Sequence, residues 1–161
     1  MNEVISADNT ELLAQILGDV QSRTYIDVVR GVQDQLLKSS DVIDVPVQHH
    51  FAPGVYMRQM DAAAGTLVVS KMHRTEHMNI LVKGSLTVAT EDGIQLMTAP
   101  CVLKSMPGTK RIGYFHEDSS WITVHPTEET DLEKIEQQVI VPDDEIDQFL
   151  ASLPGKVKEI E

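Results

Sequence analysis

The sequence has little of four things. It holds one cysteine, seven aromatic residues (three Phe, three Tyr, one Trp), thirteen basic residues against twenty-five acidic ones, and no apolar run of bilayer length. Cys101 alone excludes an internal disulfide framework and a cysteine-built zinc site, which leaves histidines and carboxylates as the metal ligands available. A formal net charge of −12 argues against nucleic acid and anionic membranes as partners, although a local basic pocket is compatible with it. A spanning helix needs about 20 consecutive apolar residues, which the chain lacks. The opening MNEVISADNTE has neither the basic start nor the apolar stretch of a signal peptide, so a cytoplasmic location is expected. What is there is 161 residues at 42% hydrophobic content, enough for one ordinary domain with a core.

Three parts are expected. Residues 1–43 form an N-terminal helical segment: apolar residues recur at helical spacing (Leu12, Leu13, Ile16, Leu17, Val20, then Tyr25, Val28, Val29, Val32, Leu36), with Asn9 or Thr10 as cap, as two helices or one bent near Gly18. Residues 44–126 read as nine short strands: 45–51, 55–60, 66–72, 78–83, 86–89, 94–98, 102–104, 111–115 and 121–124. Pro53-Gly54, Gly65, Gly84, Asp92-Gly93, Pro100 and Pro107-Gly108 punctuate them at the intervals of an all-β sandwich or barrel, and no crossover helix for a parallel sheet intervenes. Residues 127–161 form an acidic helical tail, with Leu132 and Ile135 on one turn and Ile146, Phe149 and Leu150 on another.

The chemistry concentrates in the middle strands. Alternation along 73–84 sets His73, Thr75, His77 and Asn79 on one face and Met78, Ile80 and Val82 on the other. Four residues of regular strand separate Cα atoms by roughly 13 Å, too far for one metal unless a turn or bulge intervenes or the strand starts after His73. His125, on the face of Trp121 and Thr123, is placed to enter beside His77. Lys110 and Arg111 follow the Pro107-Gly108 turn, and a guanidinium there offers a bidentate fork to phosphate or carboxylate. Tyr114 and Trp121 are candidates for pocket walls, though such aromatics more often fill cores. Glu76 is either a surface ion-pair partner or, at a bulge, a carboxylate ligand or base; His49-His50 and His116 read as strand-end and loop residues. Cys101 reads as a small buried hydrophobe.

Residues 71–84 and 105–111 resemble the two motifs of the cupin superfamily. His73 falls on the second histidine of the first motif, His77 on its glutamate and Gly84 on its closing glycine, while Lys71 occupies the first histidine position. In the second motif Ser105-Met106-Pro107-Gly108-Thr109-Lys110-Arg111 keeps the proline-x-glycine-type turn and puts Arg111 where the family has a metal-binding histidine. The strings HHFAPG, GTLVVSKMHRTEHMNIL, APC, PGTKRIGY and WITVHPTEETDLEKIE together resemble a small cupin-like protein of tailed phages and prophages. The resemblance implies a mainly β fold, a single cupin-type jelly-roll barrel with an N-terminal helical segment and a short C-terminal helical tail. It also implies that cations replace two of the family's four metal ligands.

Three functions stay open. One is a binding module that captures a small phosphate- or carboxylate-bearing ligand, with Arg111 as principal contact, Lys110 adding attraction, His77 and Asn79 giving hydrogen bonds, and Tyr114 and Trp121 as walls. The second is a metal-dependent enzyme in which His73, His77 and a third ligand from His125, His50 or Glu76 hold zinc, iron, manganese or nickel. The third is a structural phage component. A rival role for Arg111 pairs it with Asp131 or Glu133. The stripe Met78, Ile80, Val82 needs a cover, which predicts a homodimer or higher oligomer unless the N-terminal helices supply it.

Overall fold

The computed structural model describes residues 4–7 and 24–154. Twelve strands are present among them: β1 (Val4–Ala7), β2 (Val47–Ala52), β3 (Val55–Ala62), β4 (Thr66–Val69), β5 (Met72–His73), β6 (His77–Lys83), β7 (Ser85–Thr90), β8 (Gly93–Thr98), β9 (Cys101–Ser105), β10 (Ile112–Phe115), β11 (Ser119–Pro126) and β12 (Ile140–Val141). Helices are α1 (Tyr25–Lys38), α2 (Leu132–Val139) and α3 (Ile146–Ser152), the last entered through a 3₁₀ turn at Asp143–Glu145. All nine strands expected from the sequence are found within one to three residues of their expected ends; the expected 66–72 run is split into β4 and β5. The expected helix over residues 10–23 lies outside the described residues, while β1 and β12 were not foreseen.

The strands form two antiparallel five-stranded sheets, ordered β1-β4-β10-β7-β8 and β2-β3-β11-β6-β9, and a small ladder of β12 on β5. Where the sequence suggests a closed barrel, hydrogen bonding therefore leaves two sheets that share no strand. They face one another: Met60, Leu81 and Trp121 of the second sheet pack with Val68, Leu86, Val88 and Phe115 of the first in one core cluster. Tight hairpins set the register. β2 and β3 turn through Pro53-Gly54, with Gly54 at φ 76°, and β7 and β8 turn through Glu91-Asp92, with Gly93 at φ 119°. Gly84 is constrained twice, by φ 89° and because a Cβ there would lie 2.0 Å from Ser119 Oγ and 2.8 Å from the Asp118 carbonyl.

α1 covers the outer face of the first sheet. Val28, Val29, Val32 and Leu36 make its buried stripe and pack on Leu67, Val69, Ala89 and Ile112, the residues of opposite parity to those in the core. α2 is capped by Asp131, whose carboxylate accepts from Glu133 N and Lys134 N, and its apolar side packs Ile135 and Val139 on Tyr56. The chain then returns through β12 to pair with β5. No helix among the described residues is long and apolar enough to cross a membrane. Met78, Val82 and Val102 stay exposed on the outer face of the second sheet, so α1 is spent on the opposite sheet and does not cover the stripe.

Candidate functional site between the two sheets

β11 lies between β3 and β6, and its register decides which side chains meet. Thr123 pairs with Arg58 on one side and Asn79 on the other, and Trp121 pairs with Met60 and Leu81. His125 pairs with Tyr56. Because side chains alternate, these rows all point to the first sheet, and Arg58, Asn79, Thr123 and His125 are buried. From the facing sheet come Val68, Gly113 and Val88, in register with one another. Ser70 and Arg111 sit just past the ends of β4 and β10, tied by Ser70 N donating to the Arg111 carbonyl (2.9 Å) and Arg111 N donating to Ser70 Oγ (2.8 Å).

A cavity of about 60 Å³ lies between these walls. Its polar lining is Arg58, Ser70, His73, Asn79, Arg111 and Thr123, and no Asp or Glu among the described residues contributes to it. Arg111 Nε and Thr123 Oγ1 are buried without a hydrogen-bond partner among the described residues. Burial also pulls the Arg111 guanidinium below its ordinary pKa, the direction expected for a cation removed from water; it remains charged in any case. Asn79 is held in place by donating from Nδ2 to Ser105 Oγ (2.6 Å).

Three histidines gather at the polar end. The strand does start after His73: β5 ends there and β6 begins at His77, with a turn between in which Arg74 N donates to the Val139 carbonyl (2.7 Å) and Gly108 N donates to the His73 carbonyl (2.8 Å). The two rings consequently lie 4.2 Å apart by centroid, and the His125 ring is 4.8 Å from His77 and 5.6 Å from His73. Tyr56 stacks on His125 at 5.9 Å and bonds His49 Nδ1 through its hydroxyl at 2.7 Å.

This cluster does not fit a metal as arranged. Imidazole lone pairs lie in the ring plane, and the three rings are within 11–33° of parallel, so their nitrogens lie alongside one another and do not converge. No group of three His, Cys, Asp or Glu among the described residues is disposed to hold an ion. His77 Nδ1 lies 3.0 Å from the Thr75 carbonyl and so donates to it, leaving Nε2 as a buried acceptor without a hydrogen-bond partner among the described residues. All three are held neutral. Burial, reinforced by the neighbouring His77, His125 and Arg111, keeps His73 well below the ordinary range; burial and then His77 and Arg58 push His125 down to about 4; burial also lowers His77, against the Thr75 bond that raises it.

Arg111, Asn79, Trp121 and His73 thus meet at one cavity, with His77 and His125 beside it. Two residues expected there lie elsewhere. Lys110 is buried on the other side of the chain, Nζ donating to the Ser70 carbonyl (2.9 Å) and standing 3.7 Å from the Asp143 carboxylate. Tyr114 has the parity of the outer face and packs in the α1 layer. Both are displaced by one-residue alternation about Arg111 and Gly113. Glu76 pairs with Lys104 on the surface (2.9 Å), His50 contacts Gln59 and His116 contacts Thr87. Cys101 is packed against the core. Arg58, Ser70 and Thr123 were missed. Arg58 had a signal, an arginine in phase with Tyr56, Met60 and Ala62 on the apolar face of an alternating strand.

No protein-family model and no curated protein matches the sequence. Among solved structures the chain is similar to an acetylacetone dioxygenase from Acinetobacter johnsonii, at 18% identity and TM-score 0.44 over 52% of this chain and 60% of that one. It is similar to the EutQ protein of Clostridium difficile, at 14% identity and TM-score 0.45 over 58% and 74% of the two chains. A third is a cupin-2 domain containing protein from Shewanella frigidimarina, at 14% identity and TM-score 0.42 over 58% and 90%. The match spans less than two thirds of the Acinetobacter protein. Likenesses of this size lend the site no chemistry, and what it can do follows from its own side chains.

The histidines give the fold a pH dependence of definite sign. A histidine whose folded pKa lies below its unfolded value of about 6.5 contributes stability that is complete above that value and is lost as pH falls toward the folded pKa. For His125 the window runs from about 6.5 down to about 4. The loss approaches about 1.4 kcal/mol per pH unit inside it. Asp61, held low by hydrogen bonds from Ser120 and Gln59, starts to lose stability only below its ordinary value of 3.8, outside that window. Thermal melts from pH 7 to 4 are expected to show a falling Tm for the wild type and a shallower fall for His125→Phe; parallel curves would show that His125 titrates alike in both states.

Proposed function

We propose that this protein is a cupin-type jelly roll of phage type that captures a small anion between its two sheets, with Arg111 as the principal contact. The observation that carries the reading is the Arg111 guanidinium at a cavity without a lining carboxylate, its Nε buried and unpartnered among the described residues. A buried cation of this kind is stabilised by an anion that accepts from its fork. Asn79, Ser70 and Thr123 supply further polar contacts, and neutral imidazoles from His73 and His77 add hydrogen-bonding groups without changing the charge. In this reading a fixed organic cation stands where the resembling family places a metal-bound histidine, so anion preference does not require a metal. Of the two rival partners for Arg111, Asp131 has another role, its carboxylate capping α2.

Thermal shift with inorganic phosphate and simple carboxylates, run in chelator on wild type and Arg111→Ala, tests the reading. The wild type should be stabilised, and the variant should lose about 1.5–3 kcal/mol of anion affinity, the scale of a charged hydrogen bond. Equal stabilisation of both proteins, or of neither, refutes it.

We also propose that a second copy covers the outer face of the second sheet. Register sets Val124 beside Met78, Ile122 beside Ile80 and Ile80 beside Val102, and Met78, Val82 and Val102 are 40%, 51% and 63% exposed. A contiguous apolar surface of this kind favours self-association. Light scattering at micromolar concentration should return twice 17.9 kDa for the wild type and 17.9 kDa for a Met78→Lys, Val102→Lys double variant. A monomeric wild type contradicts the proposal.

A further inference from the structure

The cavity changes character along the strands, and both sheets change in the same direction. In the second sheet the row Arg58, Thr123, Asn79 is followed by the row Met60, Trp121, Leu81. In the first sheet Ser70 and Arg111 are followed by Val68, Gly113 and Val88, and then by Phe115 with Leu86. The polar ends coincide, because Arg58, Thr123 and Asn79 of one sheet and Ser70 and Arg111 of the other line the same cavity with His73. The apolar ends coincide too, because Met60, Leu81, Val68, Val88 and Phe115 belong to one packed cluster. Gly113 lets this wall pack closely, since Leu86 Cδ1 lies 3.2 Å from where a Cβ would stand.

We infer that the bound anion is a monocarboxylate with a short apolar tail, its head group on Arg111 and its tail between Met60, Val68, Val88 and Phe115; this rests on the anion-binding reading above. A phosphate spends the whole molecule on polar oxygens and leaves the apolar half of the space, lined by Met60, Val68, Leu86, Val88 and Phe115, without apolar surface to bury. A carboxylate brings one charge, matches the planar guanidinium fork, and lets the rest of the molecule bury apolar surface. Size sets the length. A water occupies about 10–15 Å³ of such space, so a cavity of about 60 Å³ takes roughly four to six water-sized groups, at most a carboxylate with a chain of two or three carbons.

Calorimetric titration of the full chain in chelator with acetate, butyrate, hexanoate and inorganic phosphate tests this. Affinity should rise roughly fourfold per methylene from acetate to butyrate, the gain for one buried CH₂, and level off by hexanoate. Phosphate should bind more weakly than butyrate. Val88→Thr keeps the wall's shape but replaces a methyl with a hydroxyl, and should reduce the gain in affinity from acetate to butyrate, with circular dichroism confirming the fold. Affinity that is flat with chain length, phosphate binding tighter than butyrate, or an unaltered gain in Val88→Thr overturns the inference and leaves the anion reading standing. If none of the four anions binds, both fall.

Discussion

A guanidinium half-buried between two β-sheets, its Nε buried and without a hydrogen-bond partner among the described residues, calls for a compensating charge, and the polar end of this molecule is organised around that requirement. Arg111 enters the space because it immediately precedes β10, one residue out of phase with Ile112, whose side chain turns outward beneath α1. Ser70 fixes its backbone. The consequence is a cation whose surroundings are polar but uncharged, apart from Arg58: neutral histidines, an amide and hydroxyls. In the proposed reading such a shell orients the anion without competing with it for the charge.

The tail contributes to the same end of the molecule. β12 pairs with β5 at the residue that carries His73, Arg74 donates to the Ile140 carbonyl, and Lys71 forms an ion pair with Glu136. Val139 and Ile140 line a smaller cavity shared with Arg58, His73 and His125. Residues after 126 are therefore part of the wall around the histidines. Their burial against this segment is one reason that those imidazoles are held uncharged.

Much of the fold was legible in the sequence because period-two alternation and turn residues mark strands locally. The core of the site was legible in part for the same reason: Arg111, Asn79, Trp121 and the three histidines follow from parity and from the two motif-like segments. Lys110 and Tyr114 were misplaced because parity alone does not say which of two neighbours faces in; the bond of Arg111 N to Ser70 Oγ settles that, and it is a contact across 41 positions of sequence. The stacking of His73, His77 and His125 depends on three strands meeting through a turn, which spacing cannot reveal. Arg58 lay in plain view on an apolar face, yet an isolated arginine acquires meaning only once the facing sheet is known to carry a second one.

The central claim is that the space between the sheets has a charged end at Arg111 and an apolar end at Phe115, occupied by one small molecule in one orientation. A crystal of the protein soaked in 4-bromobutyrate locates both ends at once, because the bromine marks the tail by its anomalous signal. The account predicts a bromine peak among Val68, Val88 and Phe115, with the carboxylate oxygens within about 3 Å of the Arg111 guanidinium. A bromine peak beside Arg111, or peaks confined to the outer surface, would contradict it.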